Sequence, residues 1–509
     1  MATVSKIDSN VTGLRIAEES TVIGVLGGSP IWLPLEPNSY GDFGVEITST
    51  PRNPIADDRQ AKKGMVTDLD AGGGFISDLT HTNLQEVMQG FFFADFRAKD
   101  EFGGAGEITD VTTTYNAASG LDDFEVGALV FATGFTNSAN NGFKRVTTST
   151  ATALTVTPAL VAEASPPAAA KLVQVGRQFS AGVLDVDASG TLPAITAASD
   201  LDTLGLIVGE WIFLGGDTAS LRFTNAVNNG FKRVASVAAD RVEFDKSLTT
   251  MVTEASTTET VQLFIGRVLK NETGALIKRR TWQLERTLGA PDNALPSEIQ
   301  SEYIVGAVAN MFKLQIGVAD KVTADLSFMG LNGETRTGAV GVKSGARPEL
   351  VEQDAFNTSS DFTFMRISPV QASGATSTPF FGFMTDCQLN LSNNAEACKA
   401  IGVLGGFDIT VGKFQVDGEI TAYFSDVAAI EAVKANQSVT LDMVMAAQNR
   451  GILVDVPLVT LGNARLSIEQ DKPITIPVSF NAASGAQVRA NLDHTMLMVF
   501  FDYLPTLAM

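Results

Sequence analysis

The feature that most constrains this chain is a strand–turn–strand pattern that occurs twice in one register. Phe312, Leu314, Ile316 and Val318 alternate with Lys313, Gln315 and Gly317. After Ala319-Asp320-Lys321, Val322, Ala324, Leu326 and Phe328 alternate with Thr323, Asp325 and Ser327. A period of two sends successive side chains to opposite faces of a sheet, so one face is core and the other open. The stretch returns at Leu466 to Phe480. Leu314 matches Leu466, Val322 matches Ile474 and Phe328 matches Phe480, each 152 residues on and without a gap. A register kept across a turn points to two copies of one β module.

The flanking order repeats as well. In the first copy a strand at Val45–Thr48 is followed by a polar loop, Ser49 to Lys63, carrying Arg52, Asp57, Asp58, Arg59, Lys62 and Lys63. A strand near Gly74-Phe75-Ile76 comes next, with Gly72-Gly73-Gly74 read as a turn or bulge. A helix opens at Thr82, where Thr82 and Gln85 have capping-box spacing. Leu84, Val87, Met88, Phe91 and Phe92 then form one apolar stripe. The second copy runs through a strand at Gln388–Leu391, a long loop from Ser392 to Asp408, a strand at Gly418–Tyr423 and a helix capped by Asp426. Trp282–Leu284 and Thr440–Met443 are the next strands, and the opening hairpins close each copy.

The first copy carries an insertion with its own repeat. Phe135-Thr136-Asn137 through Asn140-Asn141-Gly142-Phe143-Lys144-Arg145-Val146 returns 88 residues later as Phe223 to Val234. These are two small β domains. Asn141-Gly142 and Asn229-Gly230 are type I′ hairpin signals, and packing of Phe143/Phe231 and Val146/Val234 is the favoured reason for the motif's repetition. Ligand or glycan contact by its Asn, Lys and Arg is the alternative.

Composition narrows the function classes. The chain has 509 residues, 45% of them hydrophobic and only 18% charged, which fits a β-rich globular protein. Its net charge of −21 disfavours tight nucleic-acid binding, since phosphates are held by clustered Lys and Arg. Two cysteines, Cys387 and Cys398, imply no disulfide framework, and with two histidines, His81 and His494, a metal or catalytic set has too few partners. No phosphate-binding loop is present. Acidic pairs such as Asp57-Asp58 read as solvated loops, and Lys278-Arg279-Arg280 as a solvated strand end. The expectation is a protein that is not an enzyme, has no cofactor, and carries no signal peptide or membrane span.

With these residues in view, the chain resembles the tail tube (major tail) proteins of long, flexible-tailed bacteriophages. The resemblance rests on the Val45–Thr48 strand with its loop and helix, the second copy from Gln388 through Asn436, the two hairpins, and the nested FTN…NNGFKRV pair. It implies a mainly β fold: two tandem tail-tube-type β-sandwich or barrel modules, each with a flanking helix, plus two small inserted β domains. The corresponding division is an N-terminal arm 1–44, module A at 45–107 and 266–335, inserted repeats at 108–172 and 190–265, a linker or edge segment 336–385, and module B at 386–509.

The resemblance also implies a structural virion protein of the tail, made in the host cytoplasm. It would assemble with itself into stacked rings, as a trimer with pseudo-six-fold symmetry or alternatively a hexamer. It would meet other tail proteins such as the tape measure and terminator, and let double-stranded DNA pass without tight binding. The loop residues Arg52, Asp57, Asp58, Arg59, Lys62 and Lys63 become ring-stacking candidates, and Asp325, Asp442 and Glu469 lumen candidates. The insertion would project outward. A β-rich tail-tip or host-surface glycan-binding protein is the alternative.

Overall fold

The computed structural model describes residues 6–9, 12–55, 57, 60–97, 99–198, 200–291, 298–370 and 378–509. These described residues are mainly antiparallel strands, with two short α-helices among them. The chain divides into two compact units. Unit 1 takes residues 1–94, 272–358 and 385–421, and unit 2 takes 95–271, 359–384 and 422–509. The insertion interrupts the chain of module A yet counts with unit 2, and the first strands expected of module B count with unit 1.

In unit 1 the central strand is Gln300–Gly317, long enough to serve two sheets. Its first half pairs with Trp282–Gly289 on one side and Asn332–Thr337 on the other. Its second half pairs with Thr323–Gly330 on one side and Met384–Ser392 on the other. The hairpin expected from sequence is therefore present, with Phe312 opposite Leu326 and Leu314 opposite Ala324. Phe312, Leu314, Ile316, Val322, Ala324, Leu326 and Phe328 are all buried, whereas Val318 has left the strand and is exposed. The helix Gln85–Phe92 lays Phe91 against Phe312 and Phe328, with ring centroids 5.9 and 5.4 Å apart. Its stripe of Leu84, Val87, Met88, Phe91 and Phe92 is buried as expected. The capping box is not formed. The helix starts at Gln85, the Thr82 hydroxyl turns to Gln353, and Gln85 Nε2 donates to the His81 carbonyl instead. In the second helix, Ala428–Lys434, the N-cap position falls to Val427 rather than Asp426, whose carboxylate, one residue earlier, accepts from the Ala428 amide.

Two expected loops are hairpins. Pro37–Arg52 and Lys62–Asp78 pair over most of their length, from Pro37 opposite Ser77 to Arg52 opposite Lys62. The Ser392–Asp408 segment contains a small hairpin, Glu396–Lys399 with Gly406–Thr410. The glycine triplet lies within Lys62–Asp78, opposite an irregular register at Gly41–Gly44, and makes no turn. A Cβ on Gly74 would stand 2.5 Å from the Leu326 carbonyl oxygen, so only glycine lets the two strands approach here.

Unit 2 contains the insertion and a second group of module strands, here called the second sheet. Val439–Ala447 pairs with Arg450–Gly462 and with Phe362–Pro369. Leu497–Phe501 pairs with Arg450–Gly462 and with Arg267–Lys270, the strand that leaves the insertion. The pairing repeats that of unit 1 in detail. Trp282–Ala307, Leu284–Ile304 and Glu285–Tyr303 correspond to Val439–Val459, Leu441–Val456 and Asp442–Asp455, with a register shift at the same place. Ala309–Phe328 and Gln315–Thr323 correspond to Leu461–Phe480 and Ser467–Thr475, again with matching displacement. The edge partners agree too: Arg15 lies opposite Glu285, and Arg366 opposite Asp442. So Gly13–Glu18, expected in an arm or loosely paired edge, and Phe362–Pro369, expected in a linker or edge segment, occupy one and the same position on their respective sheets.

The second hairpin differs from the first. Its returning strand, Thr475–Ala483, buries Ile476, Val478 and Phe480. Its leading arm is not a strand. Asn463 adopts a left-handed φ of 50°, the preceding strand ends at Gly462, and only the Ser467–Thr475 bridge preserves the expected register.

Each inserted repeat has its own core, one around Tyr115, Leu121, Phe124 and Val146, the other around Ile212, Phe223, Val234 and Phe244. The Asn-Gly pairs do not make type I′ turns, because Asn141 and Asn229 have extended dihedrals and only the glycines have positive φ. The asparagines act as latches. Asn141 Nδ2 donates to the Phe135 carbonyl while its Oδ1 accepts from the Phe135 amide, and Asn229 does the same with Phe223. Asn140 and Asn228 likewise donate to Glu163 and Glu254.

Candidate assembly and channel surfaces

The open face of the unit 1 sheet follows directly from strand alternation. The side chains that turn away from the core are Gln415, Asp417 and Glu419 on Gln415–Tyr423, and Asp386, Gln388 and Asn390 on the next strand. Lys313 and Gln315 follow, then Thr323, Asp325 and Ser327. Register places Lys313 between Asp325 and Asn390. Amides tie the row together: Asn390 donates to Asp417 at 3.0 Å and Gln388 to Asn390 at 3.0 Å. Four carboxylates against one ammonium make the face acidic, and the rest is hydroxyl and amide. Such a surface hydrates well and offers phosphate no clustered cations.

The three lumen candidates separate. Asp325 is exposed on this face. Glu469 is exposed in the turn of the second hairpin, where Lys472 pairs with it at 2.6 Å. Asp442 is corrected: it is fully buried, with Lys246 and Arg366 on its carboxylate, so it faces no channel. Sequence alternation could not find this, because both faces of its strand are covered and Val439–Met445 are all buried.

The stacking candidates lie on the long hairpin. Arg52 and Lys62 face each other at its outer end, with Lys63 beside them and Asp57 exposed at the tip. Asp58 and Arg59 lie outside the described residues. The outer half of this hairpin is exposed on both faces, including Ile47, Met65, Val66 and Ile55. The small hairpin from Glu396 packs beside it through Lys399, whose ammonium reaches Asp68 at 2.6 Å and Asp70 at 2.7 Å. That contact raises the lysine and lowers Asp68 from their ordinary pKa values through the hydrogen bond they share. The tip of the small hairpin exposes Ile401, Val403, Leu404 and Phe407. The basic run is paired rather than free: Arg279 meets Asp408 at 2.8 Å, and Arg280 meets Glu18.

In unit 2 the insertion is locked to the second sheet by buried charge. Arg233 bridges Asp245 at 2.9 Å and Asp455 at 3.1 Å, Arg489 adds to Asp245, and Lys246 meets Asp442 and Thr440. Burial alone would lower the Arg233 pKa, but Asp245 and Asp455 hold it above the usual range, so the guanidinium stays charged. Around this cluster Trp211, Phe213, Phe231 and Phe264 of the insertion share a core with Val444, Leu453, Val499 and Phe501. The repeat motif has thus diverged in use. Arg233 is buried in the seam, while its counterpart Arg145 is half-buried and forms no such pair. Nothing in the twelve-residue motif marks that difference.

Among the described residues no group of three His, Cys, Asp or Glu could hold a metal ion, and no helix is long and apolar enough to cross a membrane. Cys387 and Cys398 are both free, and burial pushes the Cys387 thiol up to about 12. No curated protein matches the chain. The family model described as phage tail tube protein matches residues 9–482, which takes in both helices and the whole insertion and ends before the strand Leu497–Phe501. The chain belongs to the phage tail tube protein family.

Proposed function

We propose that this chain is a doubled tube subunit: each copy of the module fills one place in a ring, and three chains close it with pseudo-six-fold symmetry. The observation that carries this reading is the agreement of strand pairing between the two sheets, down to the same register shift, together with one acidic open face. A closed ring removes the sheet edges that a single chain leaves open. The face bearing Asp325, Asp386, Asp417 and Glu419 lines the lumen, where double-stranded DNA slides past without binding. The hairpin carrying Arg52, Asp57, Lys62 and Lys63 reaches the neighbouring ring in the stack. The inserted repeats coat the outside as a fixed part of unit 2. Tape measure and terminator proteins meet the lumen and the end of the tube. The role is structural, not catalytic. Negative-stain images of the concentrated protein test it: long hollow tubes are expected, and monomers alone at every concentration would refute it.

A further inference from the structure

We infer that a second copy of this chain docks its strand Pro37–Arg52 onto residues 463–469, in a register already written inside the single chain; this rests on the ring-forming role proposed above. The template is the strand Met384–Ser392 seated on Met311–Gly317, with Phe312 opposite Leu391, Leu314 opposite Leu389 and Ile316 opposite Cys387. Both halves of that junction have a counterpart elsewhere in the chain, and both counterparts are uncovered.

The receiving half recurs at Asn463–Glu469, the residues 152 positions after Met311–Gly317. In the template Leu314 is 1% and Ile316 4% exposed, whereas their counterparts Leu466 and Ile468 are 37% and 70% exposed. The docking half recurs in Pro37–Arg52. Phe43, Val45 and Ile47 alternate as Cys387, Leu389 and Leu391 do. Leu389 and Leu391 are fully buried, whereas Val45 is 37% and Ile47 58% exposed. Among the described residues Pro37–Arg52 pairs only with Lys62–Asp78, so its other edge is open.

Carrying the template register across pairs Leu466 with Val45, Ile468 with Phe43 and Ala464 with Ile47 on the core face. It sets Arg465 directly opposite Glu46 on the open face, a favourable cross-strand pair. At the far end Glu469 meets Asp42, with Lys472 already on Glu469 to offset the like charge. The Ser467–Thr475 bridge holds the receiving arm near its place, and docking converts residues 463–469 to strand by turning Asn463 out of its left-handed conformation. Strand addition of this kind supplies affinity through main-chain hydrogen bonds and register through alternate side chains.

The test is a cross-link between two singly altered chains, both carrying Cys398→Ser. One carries Val45→Cys and the other Leu466→Cys. They are mixed, assembled and oxidised, with Val45→Cys plus Asn463→Cys as the off-register control. The expected result is a disulfide-linked dimer in the first mixture at least ten-fold above the control and above either chain alone. In parallel, Glu46→Arg abolishes assembly and Arg465→Glu restores it in the double variant. Tubes that form without the in-register cross-link, or that link equally well off register, overturn this junction while leaving the tube role intact. Failure of the unaltered chain to form tubes overturns the tube role, and the junction with it.

Discussion

Two buried carboxylates at one position of the repeated sheet, Glu285 and Asp442, are neutralised in different ways. Glu285 in unit 1 is held by Arg347, at 2.6 and 2.8 Å, and by the Tyr303 hydroxyl at 2.5 Å. Those partners come from module A's own strands and from the segment that follows them. Trp32 of the N-terminal segment closes the cluster, with its ring edge on Tyr303 at 5.8 Å and Arg347 over its face. Asp442 in unit 2 is held by Arg366 at the same edge position that Arg15 has in unit 1, but its second cation, Lys246, comes from the insertion. The neighbouring sheet residue Asp455 replaces Tyr303 and takes Arg233, also from the insertion. One module covers this face with its own flanks. The other has given the task to 177 residues inserted in the chain of the first, residues 95–271. The insertion is therefore a lid on unit 2, and its charges became obligatory once the sheet beneath carried two buried aspartates.

The largest break in this comparison is removal of the lid. Replacing residues 95–271 by a four-residue link, like the one that joins Lys434 to Val439, is expected to leave residues 439–501 without a protease-resistant core, while unit 1 remains protected. A dispensable decoration would leave both resistant. Next in size is Arg233→Met, which strands Asp455 in the interior and leaves Asp245 with Arg489 alone; a loss of about 3–5 kcal/mol in denaturant unfolding of unit 2 is expected. Glu285→Gln sharpens the contrast, since it unpairs Arg347 in unit 1 at a cost of about 1–3 kcal/mol and leaves the unit 2 transition in place. The smallest effect on stability lies on the open face. Gln388→Lys with Asn390→Lys leaves unfolding unchanged, yet assembled tubes should then retain double-stranded DNA at low salt and release it as salt rises. Unaltered tubes should retain none.

How much of this was legible in the sequence depended on how each segment is buried. The hairpin at 312–328 and the helix at Gln85 were readable because one face is core and the other wet. The repeated Asn-Gly motif was readable as a repeat, and Phe231, Val146 and Val234 are buried while Phe143 is half-buried, but its asparagines lock to Phe135 and Phe223 rather than form hairpin turns. Asp442 was misread because its strand is covered on both faces and shows no alternation. The opposite extreme hid the outer part of the long hairpin: beyond the Val45–Thr48 strand, residues 49–52 are exposed on both faces and look like a loop. Gly13–Glu18 and Phe362–Pro369 share only Arg-Ile at the matching position, too little to align, although Arg15 and Arg366 both lie opposite a buried carboxylate. The Val45–Thr48 strand was legible, but the meaning of the exposed Val45 and Ile47 needed the buried counterpart beside it.

The account stands most directly on the number of chains and modules around one ring. Cryo-electron microscopy of assembled tubes measures both at once. Three chains per ring, with six similar sheet units facing a lumen lined by the Asp325 face and the insertion outside, is the predicted result. Six chains per ring, or a lumen lined by any other surface, would contradict it.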